Sequence, residues 1–156
     1  MIILSQALWD TALDLLAGEA RPVERIAYFD GPRLGNNSVV TTITQPNARR
    51  ESRRFRVSAG AMSEAGKHLF KFGIQRLAQL HTHGGSFIGH SCTDDSSAYS
   101  QRVGSVSVVV PRHAVRRPAL RDCGVHVREK LGWRRLSRSE ITGIFTIVPT
   151  LVRLQR

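Results

Sequence analysis

The residues best suited to chemistry lie in LHTHGGSFIGHSCTDDSSAY, Leu80 to Tyr99, where His81 and His83 stand one residue apart and Ser91 and Asp94 follow. Histidines at i and i+2 on a strand point to the same face, because side chains alternate sides along it. His81 and His83 can therefore share one metal ion. A catalytic zinc site uses three protein ligands and leaves the fourth tetrahedral position open, and Asp94 is a suitable third ligand. Such an ion lowers the pKa of bound water to about 7 and makes a nucleophile at neutral pH. A separate carboxylate must then move protons, and the loop itself contains no glutamate.

The elements that must position these groups are legible as patterns. QRLAQLHTH reads as a short buried strand whose end delivers His81 and His83, and TDDSSAYSQR as a helix opened by Thr93 with acids in its first turn. Upstream, Ser5 is a candidate N-cap for a helix carrying Leu8, Ala12, Leu15 and Leu16 and stopping at Gly18. ERIAYFDG and RLGNNSVVTTITQP, with a Gly-Asn-Asn turn signal, read as a hairpin. SAGAMSEAGKHLFKF reads as a second helix with Met62, Leu69 and Phe72 along its apolar side and Gly73 as C-terminal cap. SVSVVVP is a strand, VHVREKLGWRRLS and IFTIVP are further strand candidates, and Gly132 marks a turn. This order of elements predicts an α/β sandwich around one mixed sheet, folded as a single domain over 1–156.

Composition narrows the function classes. The 156 residues are 41% hydrophobic and 22% charged, without an apolar run near the roughly 18 residues a membrane span needs. Asp10 and Asp14 stand where a secretory signal needs positive charge, so a cytoplasmic protein is expected. Two cysteines, Cys92 and Cys123, are too few for a disulfide framework. The net charge of +11 comes from scattered arginine pairs without interleaved aromatics. That pattern favours a solvated surface or an acidic protein partner over nucleic acid.

The four loop positions fit H-x-H, seven residues, S-x-x-D, and so resemble the signature of JAMM (MPN-domain) metalloproteases, whose characterised members cleave isopeptide bonds to ubiquitin-like proteins. In that family the catalytic glutamate opens a strand patterned E-x-x-G-x-L-x-G. ERIAYFDG places Glu24 first and Gly31 last, with Ala27 in place of the inner glycine. SVSVVVP and KLGWRRLS resemble the strands that follow the motif in bacterial members found beside ubiquitin-like conjugation enzymes. The resemblance implies the JAMM/MPN architecture, related to that of the cytidine deaminases. It implies one Zn2+ per chain held by His81, His83 and Asp94, with Glu24 passing a proton from bound water to the leaving amine and Ser91 bonding the oxyanion. It further implies a ubiquitin-like protein or its conjugate as substrate, cut at the C-terminal tail, with conjugation enzymes as partners in a bacterial ubiquitination-like pathway, for which antiphage defence is one setting.

The chain departs from the family in two respects: Gly84 and Gly85 stand where a proline follows the second histidine, and Ala27 leaves Glu19, Glu51 and Glu64 as rival bases. Glu24 is preferred because a strand mounts a carboxylate more firmly than a loop or an exposed helix. His90 reads as a loop or substrate-contacting residue, Asp95 as helix N-terminal charge, and His68, His113 and His126 as surface histidines. Trp9 and Trp133 read as core or edge packing, and Cys92 as a weak competitor for metal. The H-x-E with P-C-x-x-C of deaminases and the H-E-x-x-H of common metalloproteases are absent. The chief alternative is a non-catalytic MPN-like scaffold, which typically lacks part of the ligand set.

Overall fold

Strands near the histidine loop carry apolar residues at alternate positions and polar ones between, so a sheet built from them has one face for packing and one for chemistry. A computed structural model of the chain describes residues 1–17, 23–51 and 54–150, giving backbone only for 49–51 and 54–56. In chain order it contains β1 (Ile2–Ser5), α1 (Gln6–Ala17), β2 (Ile26–Gly31), β3 (Arg33–Leu34), β4 (Asn37–Val39), β5 (Thr42–Thr44), β6 (Ala48–Glu51) and β7 (Arg54–Val57). There follow α2 (Ala59–Phe72), β8 (Gln75–Thr82), α3 (Cys92–Ser97), β9 (Val106–Val110), β10 (Gly124–Arg128), β11 (Trp133–Arg135), α4 (Arg138–Ile144) and β12 (Phe145–Val148).

The mixed α/β architecture expected from the sequence is present, with the strands shared among sheets. Six form the central mixed sheet in the order β11-β10-β9-β8-β2-β5, four form a second sheet β12-β1-β4-β3, and β6 pairs with β7 alone. In the central sheet β8 runs parallel to β9 and antiparallel to β2, with Ile26 opposite His81 and Gln79 opposite both Tyr28 and Ser107. The crossover from β8 to β9 contains the histidine loop and α3, so the candidate ligands gather where β8 ends.

The apolar series Ala27, Phe29, Ala78, Leu80, Val108, Val110 and Val125 packs with Trp9, Ala12, Leu13 and Leu16 of α1 into one core, which also takes Ile2, Leu4 and Phe145 from the second sheet. Trp9 meets Phe29 with ring centroids 6.4 Å apart. The intervening series is polar and equally buried: a row His126, Ser107, Gln79 and Tyr28 crosses four strands. Each group in it needs a partner, since a buried unpaired polar group costs about 1–3 kcal/mol.

Local expectations fare unevenly. Ser5 caps α1, its Oγ accepting from the Leu8 N–H, whereas the expected stop at Gly18 lies outside the described residues. Helix α2 spans the expected segment between Ser58, whose side chain accepts from the Ala61 N–H, and Gly73 at φ 62°. Its apolar side is thinner than the spacing suggested: Ala65 is buried, Phe72 is 58% exposed, and Tyr28 reaches Met62 through an O–H···S contact. Helix α3 opens at Cys92, not Thr93, because Ser91 and Asp94 form a reciprocal capping box there. Among the described residues no helix is long and apolar enough to cross a membrane.

Candidate metal centre

Strand β8 places His81 on the polar face and His83 just beyond its end, and α3 brings Asp94 against both. The His81 Nε2 stands 3.3 Å from Asp94 Oδ1, and the His83 Nε2 stands 3.3 Å from Asp94 Oδ2. One donor atom from each of the three residues lies within 4.8 Å of the others. His81 is fully buried, and Asp94 is 8% exposed.

Asp94 is fixed from behind. Its Oδ2 accepts from the Ser91 N–H at 2.7 Å and the Ser91 hydroxyl at 2.8 Å, and its own N–H donates back to Ser91 Oγ. Burial alone would raise its pKa, but the facing imidazoles of His81 and His83 and the hydrogen bonds from Ser91 hold it far below the usual carboxylate range.

His83 is fixed likewise. Its Nδ1 lies 3.1 Å from the Phe87 carbonyl, which can only accept, so Nδ1 carries the proton and Nε2 presents its lone pair to Asp94. A lone pair facing a carboxylate oxygen calls for a cation, either a second proton or a metal ion. Burial opposes a positive ring, yet the hydrogen bond and charge of Asp94 raise the His83 pKa. Two imidazoles and an ionised carboxylate, two of them oriented by outer partners, fit a divalent metal ion.

The antiparallel register places Glu24 beside these groups. Ile26 faces His81, and next to that pair Arg25 and Thr82 exchange hydrogen bonds of 2.9 and 3.0 Å, so Glu24 falls alongside His83. By alternation it shares the polar face. Burial raises the Glu24 carboxyl above its ordinary value, His83 opposing and Asp94 adding to the effect. Of the rival bases, Glu64 is exposed on α2, while Glu19 and the Glu51 side chain lie outside the described residues.

The structure also corrects and extends the sequence reading. His126 is 3% exposed instead of lying at the surface, because β10 is covered on both faces. Its ring stacks on His90 at 4.1 Å, and burial with the nearby His90 pushes its pKa down to about 3. The His90 side chain is 5% exposed and bridges Asp95 and Ser107. His113 is half-buried: a Cβ on Gly84 would come within 2.9 Å of its Nε2. The backbone N–H groups of Arg112 and His113 donate to Gly85 and His83. That imidazole occupies the space that the Gly84-for-proline departure leaves. Ser107 and Gln79 were unremarked in the sequence, although Gln79 is in period with His81 on β8 and Ser107 is the one polar residue of β9.

No family model matches the chain. Over 81 residues it is 35% identical to a protein of Sinorhizobium fredii named a probable metalloprotease, a match covering 51% of this chain and 49% of that one, about half the relative's length. Among solved structures, a protein from Desulfitobacterium hafniense superposes with a TM-score of 0.72 at 19% identity, covering 97% of this chain and 95% of that one. A Salinibacter ruber protein gives 0.56 at 15%, covering 86% and 88%. A JAB1/MPN domain protein from Archaeoglobus fulgidus gives 0.50 at 13%, covering 95% and 97%. At these identities the likeness is one of fold. The chain is thus MPN/JAMM-like in architecture, as the loop resemblance implied.

Proposed function

We propose that this chain is a zinc-dependent peptidase of JAMM type, hydrolysing an amide or isopeptide bond at the C-terminal tail of a ubiquitin-like protein. The observation that carries this reading is the convergence of His81, His83 and Asp94 on one point with Glu24 alongside. The metalloprotease name of the Sinorhizobium fredii relative and the MPN-domain fold support it.

When bound by these three ligands, zinc supplies a Lewis acid that polarises the scissile carbonyl and acidifies water. Glu24 accepts the proton of the attacking water and delivers it to the leaving amine, and its raised pKa suits both transfers. The Ser91 hydroxyl serves the developing oxyanion by turning from Asp94. The Ser91 N–H, which donates to Oδ2 at 2.7 Å, is backbone and keeps the ligand in place when the hydroxyl turns. The tail binds extended along a sheet edge, where main-chain hydrogen bonds give affinity. The setting is a cytoplasmic bacterial conjugation pathway, with its enzymes as partners.

The test is a panel of ubiquitin-like proteins carrying C-terminal extensions, incubated with zinc-loaded protein. Cleavage after the tail by wild type, lost in Glu24→Gln with zinc retained, is expected. Retained zinc without cleavage of any tail would refute the substrate class, and failure to bind zinc would favour the scaffold alternative.

A further inference from the structure

Asp94 is the one ligand not carried by β8 or its end; it rides on α3, a helix of six residues. Isolated helices shorter than about 12 residues are marginal, so α3 must be held where it is by tertiary contacts. Besides Asp94 itself, the residues flanking α3 reach the polar face of the sheet at two points. Beyond its C-terminus the Tyr99 N–H donates to Gln79 Oε1 at 2.9 Å, and the Tyr99 ring meets Tyr28 edge-on. Before its N-terminus stands His90, whose side chain is 5% exposed.

His90 spans the gap between helix and sheet with both ring nitrogens. Nδ1 lies 2.9 Å from Asp95 Oδ1 on α3, and Nε2 lies 3.0 Å from Ser107 Oγ on β9. Burial lowers the ring's pKa, with the hydrogen bond to Asp95 opposing, and the carboxylate can only accept. Nδ1–H therefore donates to the carboxylate and the Ser107 hydroxyl donates to Nε2. The ring is clamped sideways as well, stacked on His126 at 4.1 Å and tilted against Trp133 at 5.1 Å. Asp95 adjoins Asp94, so the chain Asp95–His90–Ser107 sets the distance between the third ligand and the strand layer that carries the other two.

We infer that His90 is a positioning residue for the metal centre, bridging Asp95 to Ser107 so that α3 presents Asp94 to His81 and His83 at metal-ligating distance. It touches no metal in this role. The inference rests on the metal-centre reading and goes beyond it, since the ligand set alone assigns His90 nothing. Outer partners that hydrogen-bond a ligand directly are worth about 10–100-fold in metal affinity, and His90 acts one residue further out, through Asp95.

The experiment measures the zinc Kd by competition with a chromophoric chelator, beside the melting temperature of the metal-free protein. Wild type is compared with His90→Ala, Ser107→Ala, Asp95→Asn and the double variant His90→Ala/Ser107→Ala. His90→Ala is expected to weaken zinc binding about 10-fold, the lower end of the range for partners that bond a ligand directly. Ser107→Ala and Asp95→Asn should each weaken it less, with the double variant no worse than His90→Ala, because both changes cut one chain. A merely structural role would lower the melting temperature and leave the Kd of the folded fraction unchanged. Wild-type affinity in His90→Ala, or strictly additive losses in the double variant, would overturn the inference alone. Absence of zinc binding by wild type would overturn the metal-centre reading and the inference with it. If His90→Ala does not fold, Ser107→Ala, which removes the hydroxyl bonded to Nε2 while keeping the side chain's size, decides.

Discussion

The two faces of the central sheet are equally buried and chemically opposite. One presents Ala27, Phe29, Ala78, Leu80, Val108, Val110 and Val125 to α1; the other presents Tyr28, Gln79, His81, Ser107 and His126 to α2 and the segment carrying α3. The first gains stability from each methylene removed from water, at about 0.8 kcal/mol apiece. The second buries polar groups whose hydrogen bonds return only about 0.5–1.5 kcal/mol net. A row of buried polar residues is thus a poor way to stabilise a sheet and a good way to hold side chains at fixed positions. Changes to the two faces should accordingly separate into effects on folding and effects on the centre.

The largest separation is expected at Glu24. Glu24→Gln should lower hydrolysis about 10²–10⁴-fold while zinc content and melting temperature stay at wild-type levels, read by initial rates beside elemental analysis. A parallel loss of metal would mean that Glu24 belongs to the ligand set. On the other face, Phe29→Ala removes a fully buried ring against Trp9 and should cost about 3–5 kcal/mol in urea unfolding. The folded fraction should still bind zinc normally, and altered affinity there would show that the faces are coupled.

How much of this was legible in the sequence depends on the range of the interactions. The histidine spacing, the Gly73 cap and the β9 run are local, and each is found where the pattern put it. The partition of strands between sheets was not legible, because pairing β1 with β12 joins residues some 140 apart and leaves no local mark. Strand β1 was missed as four residues running directly into α1. Helix α4 was missed although Ser137 and Glu140 form a capping box that the S-x-x-E spacing announces. The arginines of β6 and β7 hid that ribbon. His126 read as surface because a lone histidine gives no sign that its strand is covered on both sides.

Smaller effects probe the polar face. Saturating zinc at 100 times its Kd should stabilise the protein by about 2.7 kcal/mol, read as a rise in melting temperature reversed by chelator. No rise would show that the ion, if bound, finds the unfolded chain equally well. A pH effect follows from His126, whose pKa is depressed from 6.5 to about 3. A histidine kept neutral by burial takes up its proton only on unfolding, so stability of the metal-free protein should fall as pH drops below about 6.5 toward 3. His90, also depressed, acts in the same direction, and His83, raised by Asp94, acts against both. His126→Asn should flatten the pH dependence of urea unfolding, and an unchanged slope would assign the acid sensitivity elsewhere.

The central claim is that His81, His83 and Asp94 hold a metal ion, and elemental analysis of purified protein tests it most directly. Wild type supplied with zinc should carry about one ion per chain, and His83→Ala and Asp94→Ala, each still folded by circular dichroism, should carry none. Wild type without metal, or zinc retained by both variants, would contradict a metal centre at the end of β8.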